Sequence, residues 1–169
     1  MICCATGVNE FPFALVANAR LAWSGDWAWG LPLIVLTVLI HVAGFGLLSR
    51  KTLDASSRTI RRRPIVVFIG VIGLTTLLAT SLHGLEAAIW AVAYRFVGAL
   101  PDNRSAMLYS LNAMTSYGHI HLQLDDHWQL LGAMEALNGW LLFGLSTAFL
   151  FAVIEKVSTD VRRRRHEGA

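Results

Sequence analysis

Three long apolar runs, separated by polar and charged stretches, organise this chain of 169 residues. Trp27 to Leu48 is 22 residues without a charge, enough to cross a hydrocarbon core about 30 Å thick as a helix. Trp27 and Trp29 suit one interface, Pro32 is tolerable near a helix start, and Arg50 and Lys51 close the run. A second run opens after Pro64, with Ile65 to Trp90 apolar and the character persisting to Leu100. It exceeds what a bilayer needs, so the helix must tilt or project, and Trp90 and Tyr94 fit an aromatic belt at its far end. The third run extends from Trp128 to Ile154 and is closed by Glu155 and Lys156. Phe11 to Trp23 is apolar but short and contains Arg20, which predicts a separate interfacial helix. The pattern therefore predicts an all-α membrane protein with segments 1–26, 27–49, 50–64, 65–154 and 155–169.

Composition agrees: hydrophobic residues make up 55% and charged residues 15%, against about 25% charge in soluble domains. Arg50, Lys51, Arg58 and Arg61 to Arg63, with Lys156 and Arg162 to Arg165, account for 11 of the 14 basic residues. Because these clusters flank apolar runs, they read as a topology signal and not as a nucleic-acid patch. The loop 50–64 and the tail are then cytoplasmic and the N-terminus is outside, as for a multi-pass protein of the cell (inner) membrane. The segment from Pro101 to His127 lies outside and carries Asp102, Asp125 and Asp126 against Arg104, an acidic face that attracts cations. Cys3 and Cys4 are adjacent and make neither a disulfide framework nor a metal site alone. The N-terminus lacks the basic-then-apolar order of a signal peptide.

Within the external segment, Ser105 to Met114 reads SAMLYSLNAM. It is helix-compatible, with Asn103 or Ser105 as N-cap, and far too short to span. It is either an external loop helix or a re-entrant half-helix, which needs burial in protein or contact with water. It is followed by Thr115-Ser116-Tyr117-Gly118. The order of outer helix (65–100), pore helix (104–114), Thr/Gly filter (115–121) and inner helix (128–154) resembles the potassium-channel pore family. SLNAMTSYGHI is similar to the end of its pore helix and filter, whose usual core is T-T-V-G-Y-G-D. LLGAMEALNGWLLFGLSTAFLFAVI resembles the inner helix of bacterial two-helix pore domains. The resemblance covers Ile65 to Ile154 and leaves Trp27 to Leu48 as an extra span. It implies a homotetramer in the bilayer that conducts monovalent cations, K⁺ or Na⁺, with no resident cofactor.

Without gaps, Thr115 and Ser116 fall on the two threonines, Tyr117 on the valine and Gly118 on the first glycine. His119 falls on the tyrosine, Ile120 on the second glycine and His121 on the aspartate. A gapped alternative puts Tyr117-Gly118 on the Tyr-Gly pair and deletes two residues inside the filter. In this family carbonyls replace the ion's hydration shell, and glycine supplies the positive φ that aims them. Gly118 can do so; Ile120, being β-branched, cannot readily. The expectation is fewer carbonyl rings, around Ser116, Tyr117 and Gly118, a wider outer mouth and weak or altered K⁺ selectivity. His119 and His121, repeated four times, would brace the filter, or respond to protons or divalent ions at the mouth.

Ionisable and polar groups inside the spans are the remaining candidates. His83 and Glu86, three apart on one face, are read with Asn112 and Glu135 as filter supports, bonding to pore-helix groups such as Asn112 or Ser110. Glu135, Asn138, Leu142, Ser146, Phe149 and Val153 fall on one stripe of the inner helix. That stripe is either a cavity lining with an inner apolar constriction or an ordinary packing face. Gly132, Gly139 and Gly144 permit close packing or a bend, and Gly139 is the candidate gating hinge. A non-conducting or regulatory channel-like subunit is an alternative. A haem- or metal-binding membrane protein is another, but counting from the ends of the runs puts His41 and His83 about 20 Å apart in depth, which argues against a shared haem. No nucleophile–base pair or phosphate loop suggests an enzyme, and the first run has no arginine ladder of a voltage sensor.

Overall fold

The computed structural model describes residues 11–59, 64–118 and 122–167. Its elements are α1 (Phe11–Thr59), α2 (Pro64–Phe96), α3 (Asn103–Met114) and α4 (Gln129–Glu167), with one 3₁₀ turn at Asp126–Trp128. Three of the helices contain stretches long and apolar enough to cross a membrane: Trp23–Leu48, Ile65–Phe96 and Asp126–Thr159. The described residues are thus an all-helical, multi-pass arrangement.

Four sequence boundaries shift. Phe11 to Trp23 is no separate helix but the start of α1, and α1 also continues past Arg50 and Lys51 to Thr59. Nothing in that stretch breaks a helix, because Pro32 lies within the span and no other proline occurs between Pro12 and Pro64. The outer helix ends at Phe96, short of Leu100, where Gly98 takes φ +73° and Ala99 N–H bonds back to the Tyr94 carbonyl at 2.9 Å. This is the glycine-capped helix end expected where a left-handed residue is needed. α4 continues beyond Ile154 to Glu167 without a break.

One buried stripe on each long helix forms the core. On α1 it is Asp26, Gly30, Leu33, Thr37, His41 and Phe45, three and four residues apart, as one helical face requires. Contacts set the directions. Trp29 meets Phe96, and the His41 ring meets that of His83, so α1 and α2 are antiparallel. Thr37 bonds Asn138, His41 bonds Ser146, and Phe45 stacks on Phe149 at 4.2 Å, so α1 and α4 run the same way. The C-terminal end of α1, the N-terminal end of α2 and the C-terminal end of α4 therefore share one end of the bundle. α3 packs against α2 and α4. The rest of α2 and α4 faces outward as apolar surface, including Leu77, Val92, Leu137, Trp140, Phe143 and Phe151.

Trp90 and Tyr94 are not an interfacial belt: both are fully buried. Their spacing places them on the face of α2 that α3 and α4 cover. Tyr94 packs edge-on against Tyr109 of α3 with centroids 5.1 Å apart.

Candidate functional site

α3 is capped by Asp102, not by Asn103 or Ser105. The Asp102 carboxylate accepts from Ser105 N–H at 3.0 Å, satisfying one of the donors a helix start leaves open. That bond holds the exposed Asp102 carboxyl below its ordinary pKa. Arg95 pins the preceding turn by donating to the Leu100 carbonyl at 2.7 Å and to Asn103 Oδ1 at 3.1 Å.

From there α3 descends alongside α4. Tyr109 lies over Gly132, and Met114 lies over Gly139. Gly139 is ten positions into α4, so the end of α3 lies roughly 15 Å along the bundle from the start of α4 at 1.5 Å per residue. A Cβ on Gly139 would sit 2.7 Å from Met114 Cα and 2.8 Å from its carbonyl carbon. The residue read as a hinge is therefore a contact point: α4 is unbroken there, and the missing side chain is what lets α3 approach.

Glu135 holds α3 in place. It accepts from Tyr94 OH at 2.6 Å and is in very close contact with the Ser110 hydroxyl. Ser110 also donates to the Ala87 carbonyl at 2.7 Å. One hydroxyl proton cannot serve two acceptors, so the cluster is fully bonded only when Glu135 carries a proton of its own.

The expected supports divide differently. His83 and Glu86 do not brace Ser110, whose partners are Glu135 and Ala87. Glu86 accepts from His41 Nδ1–H at 2.8 Å, and its second oxygen lies 3.5 Å from His83 Nδ1. Both imidazole Nε2 atoms meet Ser146 Oγ, at 2.9 Å for His41 and 3.1 Å for His83. The physical reason is rotation: successive helical residues are about 100° apart, so Glu86 faces α1 while Ala87 faces α3. Asn112 contributes its carbonyl, which accepts from Tyr117 N–H at 3.0 Å.

His41 and His83 are not separated in depth. Their ring centroids are 5.1 Å apart. Counting from the ends of the apolar runs ignored that α1 extends to Thr59. Counted from the α1–α2 connection, His41 is 18 residues before Thr59 and His83 is 19 after Pro64, which puts them at one level. Ser146 bridges both rings, so a porphyrin plane does not fit between them as arranged.

The α4 stripe is likewise no cavity lining. Glu135, Asn138 and Leu142 are fully buried and Ser146 nearly so, within the chain's own bundle. Phe149 and Val153 are half-buried, Phe149 against Phe45. Asn138 donates to Thr37 Oγ1 at 2.9 Å. A stripe of one helix can face a pore or a neighbouring helix, and here α1 and α2 cover it.

The residues after α3 are exposed from Thr115 to Gly118. Thr115 Oγ1 donates to the Leu111 carbonyl at 2.7 Å. Ser116 takes φ +54°, and Tyr117 N–H closes on the Asn112 carbonyl, a left-handed helix cap usually given to glycine. Gly118 takes φ +93°. Trp140 Nε1 donates to Ser116 Oγ at 2.9 Å, tying this segment to the outward face of α4. An open cleft of about 440 Å³ lies below it, lined by Thr80, His83, Thr115, Ser116, Trp140 and Phe143 among others. His119, Ile120 and His121 lie outside the described residues.

Sequence reasoning missed Thr37, His41 and Trp140 as partners. The signal for the first two was present: polar side chains four apart inside an apolar span face protein more often than lipid. Comparison with protein-family models, with curated proteins and with solved structures finds no match.

Proposed function

We propose that this chain is one subunit of a cation-conducting pore of the potassium-channel-like type, with four copies around a central axis and weak or altered K⁺ selectivity. The observation that carries the reading is the placement of α3: it ends against Gly139, well along α4, and releases the exposed segment Thr115–Gly118 there. In a bilayer, irregular backbone at that depth needs water or protein around it. Neighbouring copies around an axis would supply both. The apolar outward surface of α2 and α4 is suited to lipid or to such copies. The exposed carboxylates Asp102, Asp125 and Asp126 lie in the segments flanking α3 and would concentrate cations at the mouth.

On this reading α3 is the re-entrant element, residues 115–121 line the conduction path, and Trp140 braces it from behind. The α1–α2 connection and the basic tail share one end of the bundle, which the positive-inside rule assigns to the cytoplasm. Weak selectivity follows because Ile120 cannot readily repeat the positive φ of Gly118.

The test is flux from liposomes containing the purified chain, with K⁺, Na⁺ and larger monovalent cations compared. Cation flux with modest K⁺ preference is expected, together with a cross-linked species of four chains. Absence of flux for every cation would refute the pore and leave a non-conducting subunit. Strong K⁺ selectivity would refute the altered filter.

A further inference from the structure

The closed contact ring formed by His41, Glu86, His83 and Ser146 has a proton inventory that leaves one position vacant of hydrogen. Take both imidazoles neutral and Glu86 as a carboxylate. The 2.8 Å contact to Glu86 fixes the His41 proton on Nδ1, so His41 Nε2 must accept from the Ser146 hydroxyl. Ser146 has then used its proton and must accept from His83 Nε2–H. The His83 proton is thereby committed to Nε2, and His83 Nδ1 is a bare lone pair. It faces the second oxygen of Glu86 across 3.5 Å, and that oxygen has no hydrogen-bond partner although Glu86 is fully buried. Two lone pairs converging on one point in an apolar bundle is a costly arrangement unless a cation stands between them.

We propose that His41, His83 and Glu86 form a binding site for a divalent transition-metal ion of the zinc class, joining α1 to α2 inside the bundle. The geometry suits that ion. A centre about 2.05 Å from both His83 Nδ1 and the facing Glu86 oxygen would subtend about 115° across their separation, close to the tetrahedral angle. One ligand atom from each of the three residues lies within 4.8 Å of the others, so the third, His41 Nδ1, is reached by a modest ring shift with its proton moved to Nε2, which then donates to Ser146 Oγ. The fourth position falls to water, because Ser146 Oγ lies on the Nε2 side of both rings. Two imidazoles select zinc-class ions over magnesium or calcium, which prefer all-oxygen shells. Access is through the open cleft, since His83 lines it and its side chain is 30% exposed.

The site is independent of ion conduction, so its test uses the purified full chain in detergent. After chelator stripping, Zn²⁺ binding is measured by equilibrium dialysis. One ion per chain is expected, with affinity reduced about 100-fold or more in His83→Ala and in Glu86→Gln, and unchanged in a His119→Ala/His121→Ala double variant. Co²⁺ added to the unaltered protein should give the intense visible absorption of tetrahedral cobalt and be displaced by Zn²⁺, a readout that needs no variant to fold. The proposal is overturned by absence of stoichiometric Zn²⁺ binding, by loss of binding only in the His119/His121 variant, or by an octahedral cobalt spectrum.

Discussion

Replacing Gly139 with alanine should destabilise the bundle, while the same replacement at Gly144 should not. At Gly139 the new Cβ would lie 2.7 Å from Met114 Cα and 2.8 Å from its carbonyl carbon. Ordinary carbon–carbon contacts begin at about 3.5 Å, so α3 must retreat by about 0.8 Å. The obstructing atoms are backbone, held by Ser110 on one side and by the cap at Ser116 on the other, and no rotamer change relieves the clash. Overpacking of this kind costs about 1–3 kcal/mol. At Gly144 a Cβ meets nothing within 4 Å, so alanine there should gain up to about 1 kcal/mol from helix propensity alone. The two variants should therefore differ by about 2 kcal/mol or more, which for a chain of this size is about 4 °C or more in Tm. Thermal unfolding in one detergent, followed by circular dichroism, makes the comparison. If Gly139→Ala melts at or above Gly144→Ala, α3 does not rest on α4 as described, and the reading of Gly139 as a contact point is wrong.

Other consequences follow from the same geometry. Glu135→Ala removes the acceptor of Tyr94 and the partner of Ser110 and should cost about 1–3 kcal/mol, since buried hydrogen bonds between membrane helices average about 0.6 kcal/mol each and the lost packing adds to this. Glu135→Gln, which can accept from Tyr94 and donate to Ser110, should melt within about 2 °C of the parent chain. Asp102→Ala should lower the Tm at neutral pH. Because the Asp102 carboxyl is held below its ordinary pKa by the Ser105 N–H, that stabilisation is fully present above the ordinary carboxylate range. It is lost as pH falls through the lowered value, so the difference in Tm between the two chains should vanish in acid. Gly118→Ala puts a Cβ on a residue at φ +93°, a conformation L side chains rarely adopt. On the proposed reading of four copies around one path, it should reduce liposome cation flux about tenfold or more while shifting Tm little, since Gly118 is exposed; unaltered flux would refute that path.

Much of the architecture was legible along the chain because the bilayer's demands are one-dimensional. A span needs a minimum run of apolar residues, and the runs beginning near Trp27, Ile65 and Trp128 announce themselves as such. The short helix ending at Met114 was equally legible, since SAMLYSLNAM is helix-compatible and too brief to cross. What the pattern could not give is rotation and register. Glu135, Asn138, Leu142 and Ser146 share one face of α4 whatever surrounds it, but only packing against α1 and α2 decided that this face is interior and that Trp140 and Phe143 look outward. His41 and His83 look far apart when measured from the ends of their apolar runs. They meet because α1 persists through Arg50 and Lys51 and the two helices are matched from their connection. Hydropathy registers where apolar character stops, whereas helix length depends on backbone hydrogen bonds that polar residues sustain equally well. The sequence by itself determined that this chain carries three stretches long and apolar enough to cross a membrane, and that the helix ending at Met114 is too short to do so. The tertiary structure alone decided which polar groups meet inside the bundle, because those contacts join residues as far apart as 41, 86 and 146, and no local periodicity encodes the rotation that brings them together.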